Sequence, residues 1–129
     1  MTLPIVSLSA ALLGLLVVVF ASLVVGMRVR TGHSFGDGGD PALHRAIRAH
    51  GNLIEYAPIL LILLALMENA GASASWIVGL LSVFVASRIA HAIYSFGTPQ
   101  MGLRVGAFWG ASLPILIAAG WLVHAHFVS

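Results

Sequence analysis

The sequence contains no cysteine and no lysine, and only 8% of its residues are charged. Without cysteine, the chain can form no disulfide and offers neither a thiolate metal ligand nor a thiol nucleophile. Any thiol chemistry must therefore be brought by a ligand. A water-soluble domain carries about 25% charged residues, so this composition excludes a soluble globular domain.

The charges that are present give six arginines against four acidic residues, for a formal net charge of +2. They are too few and too dispersed for the basic face that nucleic-acid binding requires. Of the 129 residues, 60% are hydrophobic, and the mean hydropathy is +1.04. Because a helix needs about 20 residues to cross a bilayer, four helices occupy nearly the whole chain. The sequence predicts an all-α integral membrane four-helix bundle, as a single domain over residues 1–129.

Four apolar segments define the predicted helices, which cover residues 3–27, 41–69, 74–96 and 101–127. The first segment has no basic start and is followed by Arg28 and Arg30, so we interpret it as a retained membrane helix and not as a signal peptide. The loop Arg28–Asp40 is rich in glycine and is predicted to be a flexible connector. Asp40 is predicted to cap the second helix, with Pro41 at its first position. A calcium loop is the alternative, but the segment lacks the alternating ligands and closing glutamate of an EF-hand.

The fourth segment begins with Gly102, Gly106 and Gly110 at intervals of four residues. Small residues at that spacing let a neighbouring helix approach closely. This pattern therefore predicts helix packing and carries no chemistry. Gly97–Gln100 is predicted to separate the third and fourth helices, because glycine and proline interrupt the apolar pattern there.

One face of the second helix carries Arg45, Arg48, Asn52 and Glu55. At about 100° per residue these side chains fall within a stripe roughly 80° wide, with His44 and Tyr56 at its edges. Ionisable groups at membrane depth cost several kcal/mol unless they face a partner or a wet cavity. The stripe is therefore predicted to be a functional site. The same residues also allow a second interpretation, a buried polar network that only determines helix register.

A second polar group lies where the third helix ends and the fourth begins, at Arg88, His91 and Arg104. Arginines flank the first and third loops, whereas the second loop and both termini have none. The positive-inside rule then predicts that these two loops are cytoplasmic and that both termini lie outside the cytoplasm. Both polar groups are thereby expected at one end of the bundle. Two alternatives remain open: Arg88 could snorkel to the interface, and His91 could be a packing histidine.

The residue types of this face suit a particular ligand. Guanidinium groups bind carboxylates or phosphates bidentately, and Glu55 could accept an ammonium group. Asn52 can bridge Arg48 and Glu55, which lie four residues before it and three after it. A small zwitterionic peptide with several carboxylates and an amine fits this pattern better than a simple anion does.

The segment Arg48–Tyr56, with sequence RAHGNLIEY, resembles the second-helix Arg, Asn, Glu pattern of the MAPEG family, the membrane-associated proteins of eicosanoid and glutathione metabolism. Arg88-Ile89-Ala90-His91, with Arg104 downstream, is similar to a second family motif. Length and four-helix layout agree, so the resemblance covers essentially the whole chain and is nearest in style to the small bacterial members.

The resemblance implies a homotrimer that binds glutathione between neighbouring subunits near the cytoplasmic side of a bacterial inner membrane. It implies that the glutathione-binding residues are Arg48, Asn52, Glu55, Tyr56, Arg88 and His91. It further implies that Arg104 faces the sulfur as the catalytic residue, and it implies no metal. A free thiol has a pKa near 8.5, so a nearby cation would raise the thiolate population.

The implied function is that of a detoxifying membrane glutathione transferase, also active as a glutathione-dependent peroxidase, which acts on hydrophobic or lipid electrophiles. The better-known eicosanoid enzymes place tyrosines along the third helix, whereas this chain has His91 and Ser95 there, which favours generic glutathione conjugation over eicosanoid synthesis. The family also includes a lipid-binding member without catalysis, so a non-enzymatic lipid-binding or scaffold protein is the alternative. A small multidrug-type transporter is disfavoured, because it would be expected to carry an acidic residue in its first helix.

Overall fold

A computed structural model of the chain describes residues 3–96 and 100–128, and this part of the chain consists of four helices with no strand. The helices are α1 (Pro4–Thr31), α2 (Pro41–Asn69), α3 (Ala74–Phe96) and α4 (Met101–Val128). Each is long and apolar enough to cross a membrane. The predicted all-helical architecture with four membrane-length helices is confirmed.

α2 is the central helix of the bundle. It contacts α1, α3 and α4, whereas α1 and α4 do not contact each other within the described residues. Its buried positions recur every three or four residues, as expected for a helix that packs one face into a core. Those buried residues are Leu43, Ala46, Ala49, Leu53, Ala57, Leu60, Leu64 and Met67. The opposite stripe of α2 is thereby held away from the core, where it can line a cavity.

α1 ends four residues later than predicted, at Thr31 and not at residue 27. Gly32 takes the left-handed conformation, with φ of 74°, and its N–H donates to the carbonyl of Arg28 at 2.9 Å. This is a common way to end a helix, because glycine adopts positive φ without a steric penalty. Arg28 and Arg30, predicted to lie in the first loop, belong to the last turn of α1. There the cations interact favourably with the negative end of the helix dipole.

The first loop, residues 32–40, is held by side-chain hydrogen bonds from Arg28 and Asp40 at its two ends. Arg28 Nη1 donates to the carbonyl oxygens of His33, Ser34 and Gly36, at 3.2, 3.3 and 2.8 Å. At the other end of the loop, the Asp40 carboxylate accepts from the N–H groups of Ala42 and Leu43, at 2.8 and 3.2 Å. The predicted N-cap at Asp40 is confirmed. An arginine one turn before the end of α1 thus organises the loop backbone.

The N-terminus of α1 is capped by a side chain of another helix. Leu3, at the N-cap position, makes no side-chain cap. Instead the Glu68 carboxylate, in the last turn of α2, accepts from the N–H groups of Ile5 and Val6, at 3.1 and 3.0 Å. The first N–H groups of a helix have no partner within it, so Glu68 supplies one from outside. The sequence alone assigns Glu68 only to the end of a helix.

Of the three glycines spaced by four residues in α4, only Gly110 is at a close contact with another helix of the same chain. A Cβ built on Gly110 would lie 2.5 Å from Ser87 Cβ on α3, whereas nothing lies within 4 Å of a Cβ at Gly102 or Gly106. Close approach of α3 and α4 therefore requires glycine at residue 110. The predicted break at Gly97–Gln100 lies largely outside the described residues, since residues 97–99 are not among them.

Candidate functional site

A polar cavity of about 390 Å³ opens at the loop end of the bundle, between the start of α2, the end of α3 and the start of α4. This volume falls within the range of roughly 300–1,000 Å³ that small-molecule sites occupy. Its lining residues are His44, Arg45, Arg48, Asn52, Tyr56, Arg88, His91, Tyr94, Ser95, Arg104 and Phe108. The two polar groups seen in the sequence thus meet in one cavity.

The α2 wall of the cavity follows from helical periodicity. Four of its members, at residues 45, 48, 52 and 56, recur every three to four residues on a face away from the buried core positions, and residue 44 adjoins the first of them. Because residues three and four apart are neighbours on a helix surface, these side chains form a continuous polar strip. The packed face of α2 sets the direction in which that strip points.

Arg88 is the most buried charged group of the cavity, with only 3% of its surface exposed. Its Nη2 donates to the carbonyl of Ala107 on α4 at 2.8 Å, and its Nε donates to Ser87 Oγ at 3.2 Å. Its Nη1 is buried and has no hydrogen-bond partner among the described residues. The guanidinium carbon lies 5.6 Å from the ring centre of Tyr56 and 5.3 Å from that of Phe84. The alternative that Arg88 snorkels to the membrane interface is wrong.

Asn52 and His91 join α2 to α3 across the cavity. Asn52 Nδ2 lies 3.2 Å from His91 Nε2 and also donates to the carbonyl of Arg48 at 3.0 Å. Because an amide nitrogen only donates, this contact is a hydrogen bond when His91 Nε2 carries no proton. His91 thus lines the cavity and contacts Asn52, an arrangement that suits both a ligand-binding residue and a packing histidine.

Glu55 lies at the rim and not among the lining residues. Its carboxylate is 3.6 Å from Arg48 Nη2, and both side chains are about half exposed, at 52% and 50%. An exposed pair of this kind adds roughly 0–1 kcal/mol to stability, so Arg48 and Glu55 can separate at little cost. The other predicted site residues, Arg48, Asn52, Tyr56, Arg88, His91 and Arg104, all line the cavity.

Five lining residues were not predicted as glutathione-binding or catalytic residues, namely His44, Arg45, Tyr94, Ser95 and Phe108. Arg45 lies in the predicted stripe, but its Nε donates to the carbonyl of Ser95 at 3.0 Å, near the C-terminus of α3. Tyr94 lines the cavity together with Ser95, although the two are adjacent in sequence. Phe108 follows Arg104 by four residues, and this helical spacing is the signal that could have identified it.

The electrostatic character of the cavity is strongly positive. Arg45, Arg48, Arg88 and Arg104 line it, and no carboxylate does so within the described part of the chain. Guanidinium groups present planar pairs of donors that match carboxylates and phosphates. The arrangement is suited to binding a small anion with several acceptor oxygens.

Comparison with known proteins gives one family and one named relative. The model of the MAPEG family matches residues 6–124. The chain is 37% identical over 119 residues to a protein named inner membrane protein YecN from Escherichia coli strain K12, covering 89% of each chain. The protein of the same name from Escherichia coli O6:H1 matches to the same extent. No solved structure matches the chain significantly.

Proposed function

Because this chain belongs to the MAPEG family and is a multi-pass membrane protein, we propose that it is a membrane-bound glutathione transferase. In this proposal it joins glutathione to hydrophobic electrophiles dissolved in the bilayer, and it also reduces lipid hydroperoxides. The observation that carries the proposal is the arginine-lined cavity, together with the buried Nη1 of the lining residue Arg88, which has no partner among the described residues.

That unpaired donor supports an anionic ligand on energetic grounds. A buried donor without a partner costs about 1–3 kcal/mol, and more when it is charged. A glutathione carboxylate at Arg88 Nη1 would remove this cost and would receive a charge-assisted hydrogen bond. Arg48, Asn52, Tyr56 and His91 would hold the rest of the peptide from the same walls.

Glu55 would hold the amine of the peptide from the rim. Its present partner is Arg48, at 3.6 Å and half exposed. A ligand that brings both a carboxylate and an ammonium group could exchange partners with this pair, so that the carboxylate takes Arg48 and the ammonium takes Glu55. This exchange favours a zwitterionic peptide over a simple anion.

Arg104 would activate the thiol. Near pH 7 only a few per cent of a free thiol is ionised, and each unit by which a cation lowers its pKa is worth about 1.4 kcal/mol. In conjugation, the thiolate sulfur forms a bond to the electrophilic carbon, the leaving group departs with its bonding electrons, and the thiol proton goes to solvent. In peroxide reduction, two glutathione molecules give one disulfide, while the hydroperoxide becomes an alcohol and water.

We further propose that three copies of the chain assemble and that glutathione binds where neighbouring copies meet. Arg104 and Phe108, which line the cavity, are both exposed in the single chain, and Phe108 retains 53% of its surface. A neighbouring copy could close this side. The named relative supports a bacterial inner membrane location, in which the arginine-flanked loops would face the cytoplasm.

The proposal is tested by titrating glutathione into the detergent-solubilised protein in a calorimeter, followed by an assay with a chromogenic aryl halide. Saturable binding and enzyme-dependent release of halide are expected. Arg88→Met should abolish saturable binding, whereas Arg30→Met, at an exposed arginine of α1 outside the cavity, should leave it unchanged. Absence of saturable binding to the unaltered protein would overturn the proposal and favour a lipid-binding or scaffold role.

A further inference from the structure

A second, more open cavity of about 440 Å³ lies beneath the first loop. The loop contributes Asp37, Gly39 and Asp40 to its lining. Both cavities are lined by His44, Arg45 and Tyr94, so the two spaces adjoin along these side chains. The side chains of His44, Arg45 and Tyr94 therefore form the wall that the two cavities share.

The first loop borders this open space and is attached on two sides. On the α1 side, Arg28 holds the loop through backbone carbonyls, among them that of Gly36 at 2.8 Å. On the α2 side, the Asp40 carboxylate accepts from the first N–H groups of α2, and Asp37 Oδ2 contacts His44 Nδ1 at 2.7 Å. His44 is 59% exposed, and breaking this contact disturbs no helix. It is the side on which the loop can open.

The Asp37 carboxylate is oriented and held ionised by its surroundings. Its Oδ1 accepts from the N–H of Gly39 at 3.0 Å. That hydrogen bond and the contact with His44 hold the pKa of Asp37 below its ordinary value. The carboxylate therefore remains ionised across the neutral range, as a partner for the imidazole.

The α4 side of the arginine cavity faces a different solvent. It is lined by Phe108, which is about half exposed like its neighbour Trp109, in a bundle whose outer surface is dominated by apolar side chains. An apolar electrophile can arrive from hydrocarbon, whereas a peptide with several charges cannot, because each charge there costs several kcal/mol. The hydrophilic ligand needs a separate route from water.

We propose that the cavity beneath the first loop is the vestibule through which glutathione reaches the arginine cavity, and that the Asp37–His44 contact is its latch. A carboxylate of the arriving peptide competes with Asp37 for His44, so that the ligand itself opens the loop. The route follows from the geometry, and the identity of the cargo rests on the proposed function.

The route is tested with a single reporter cysteine, which is clean because the chain has no cysteine of its own. Ser95→Cys places a thiol in the cavity wall, at a residue that is 2% exposed. The measurement is its rate of modification by an anionic methanethiosulfonate in reconstituted vesicles at constant pH. In this background, Asp37→Asn should raise the rate about two- to fivefold, as expected for the loss of one exposed side-chain contact.

His44→Asn should raise the modification rate to a similar extent, and the double variant should be no faster than either single one, since both remove the same contact. Ser34→Ala is the matched control in the same loop, because only the backbone carbonyl of Ser34 is bonded to Arg28. Equal rates for Asp37→Asn and the unaltered loop would overturn the latch.

The cargo is tested by stopped-flow association of S-methylglutathione, which has no thiol and cannot reduce or conjugate anything. Asp37→Asn should raise its association rate by a similar factor. If the peptide binds but its association rate does not change, the vestibule does not carry glutathione. If the peptide binds to no variant, the proposed function is overturned, and the modification rates still decide the route.

Discussion

Five of the six arginines of the chain have two distinct uses at the scale of single residues. Arg28 and Arg45 donate to backbone carbonyls of the first loop and of α3. Arg88 combines both uses, because it lines the cavity while its Nη2 donates to the Ala107 carbonyl, and its buried Nη1 has no partner among the described residues. Arg48 and Arg104 line the cavity without donating side-chain hydrogen bonds to other residues in the described part of the chain. All of these residues are arginines, so the residue type does not distinguish the two uses. What distinguishes them is whether a backbone carbonyl lies within hydrogen-bond distance of the guanidinium group.

Arg104→Ala should lower the thiolate fraction of bound glutathione by about tenfold if Arg104 lowers the thiol pKa by one unit. Affinity should change less, because Arg48 and Arg88 remain to bind the carboxylates. The measurement is the ultraviolet absorbance of the thiolate at saturating glutathione. Arg30→Ala is the control. Equal thiolate absorbance with and without the Arg104 side chain would contradict the activating role.

At the scale of helices, α2 caps two of its three neighbours, α1 and α3, with charged side chains from its two ends. Arg45, in its first turns, donates to the Ser95 carbonyl near the C-terminus of α3. Glu68, in its last turn, accepts from the first N–H groups of α1. Each charge has the sign that the helix dipole at that terminus favours. Within a bilayer, where water cannot satisfy backbone groups, such caps contribute more than on a soluble helix.

Glu68→Ala should destabilise the protein by about 1–2 kcal/mol, the usual effect of removing a helix cap. The stability of Glu68→Gln should lie between those of Glu68→Ala and the unaltered protein, because the amide oxygen can still accept a hydrogen bond from one N–H group but carries no charge. The measurement is thermal unfolding in detergent micelles. Ala at the exposed neighbour Asn69 should leave the midpoint unchanged, and an equal effect there would mean that the capping bond is not responsible.

Gly110→Ala should separate α3 from α4 at Ser87 and destabilise the protein by about 1–3 kcal/mol, as overpacking does in well-packed cores. The bond between Arg88 and the Ala107 carbonyl crosses the same helix pair, so glutathione affinity should fall as well. Gly106→Ala, where nothing lies within 4 Å of the added Cβ, is the matched control. It should be neutral or slightly stabilising, because alanine favours the helix over glycine. Similar losses for both variants would refute the packing explanation.

At the scale of the whole molecule, the outer surface of the bundle is apolar, and a polar cavity lies inside the bundle at the end that carries the first loop. The exposed large side chains along all four helices are mainly Leu, Val, Ile, Phe and Trp, as expected where the surrounding solvent is hydrocarbon. The arginine cavity shares lining residues with the open space at the first loop and is lined on α4 by the half-exposed Phe108. The surface of α4 around Phe108 is where a further copy of the chain could complete the site.

We expect the protein in mild detergent to have the mass of three chains by light scattering corrected for bound detergent. If neighbouring copies share the site, conditions that dissociate the trimer should also abolish glutathione binding, because each copy then loses the other wall. A monomer that binds glutathione with unchanged affinity would show that one chain contains the whole site.

The sequence by itself determined the membrane environment, the helices and the polar face of the second helix. A chain with only 8% charged residues is suited to the hydrocarbon of a bilayer, where helices form all their backbone hydrogen bonds internally. The helical spacing of Arg48 and Asn52 places both residues on one face. Only the tertiary structure decided what each polar side chain binds. Arg45 on Ser95, Glu68 on α1 and Arg88 on Ala107 all depend on which backbone groups of another helix come within about 3 Å. Helix rotation and depth set those distances, and they follow from packing across the whole bundle and not from any local pattern.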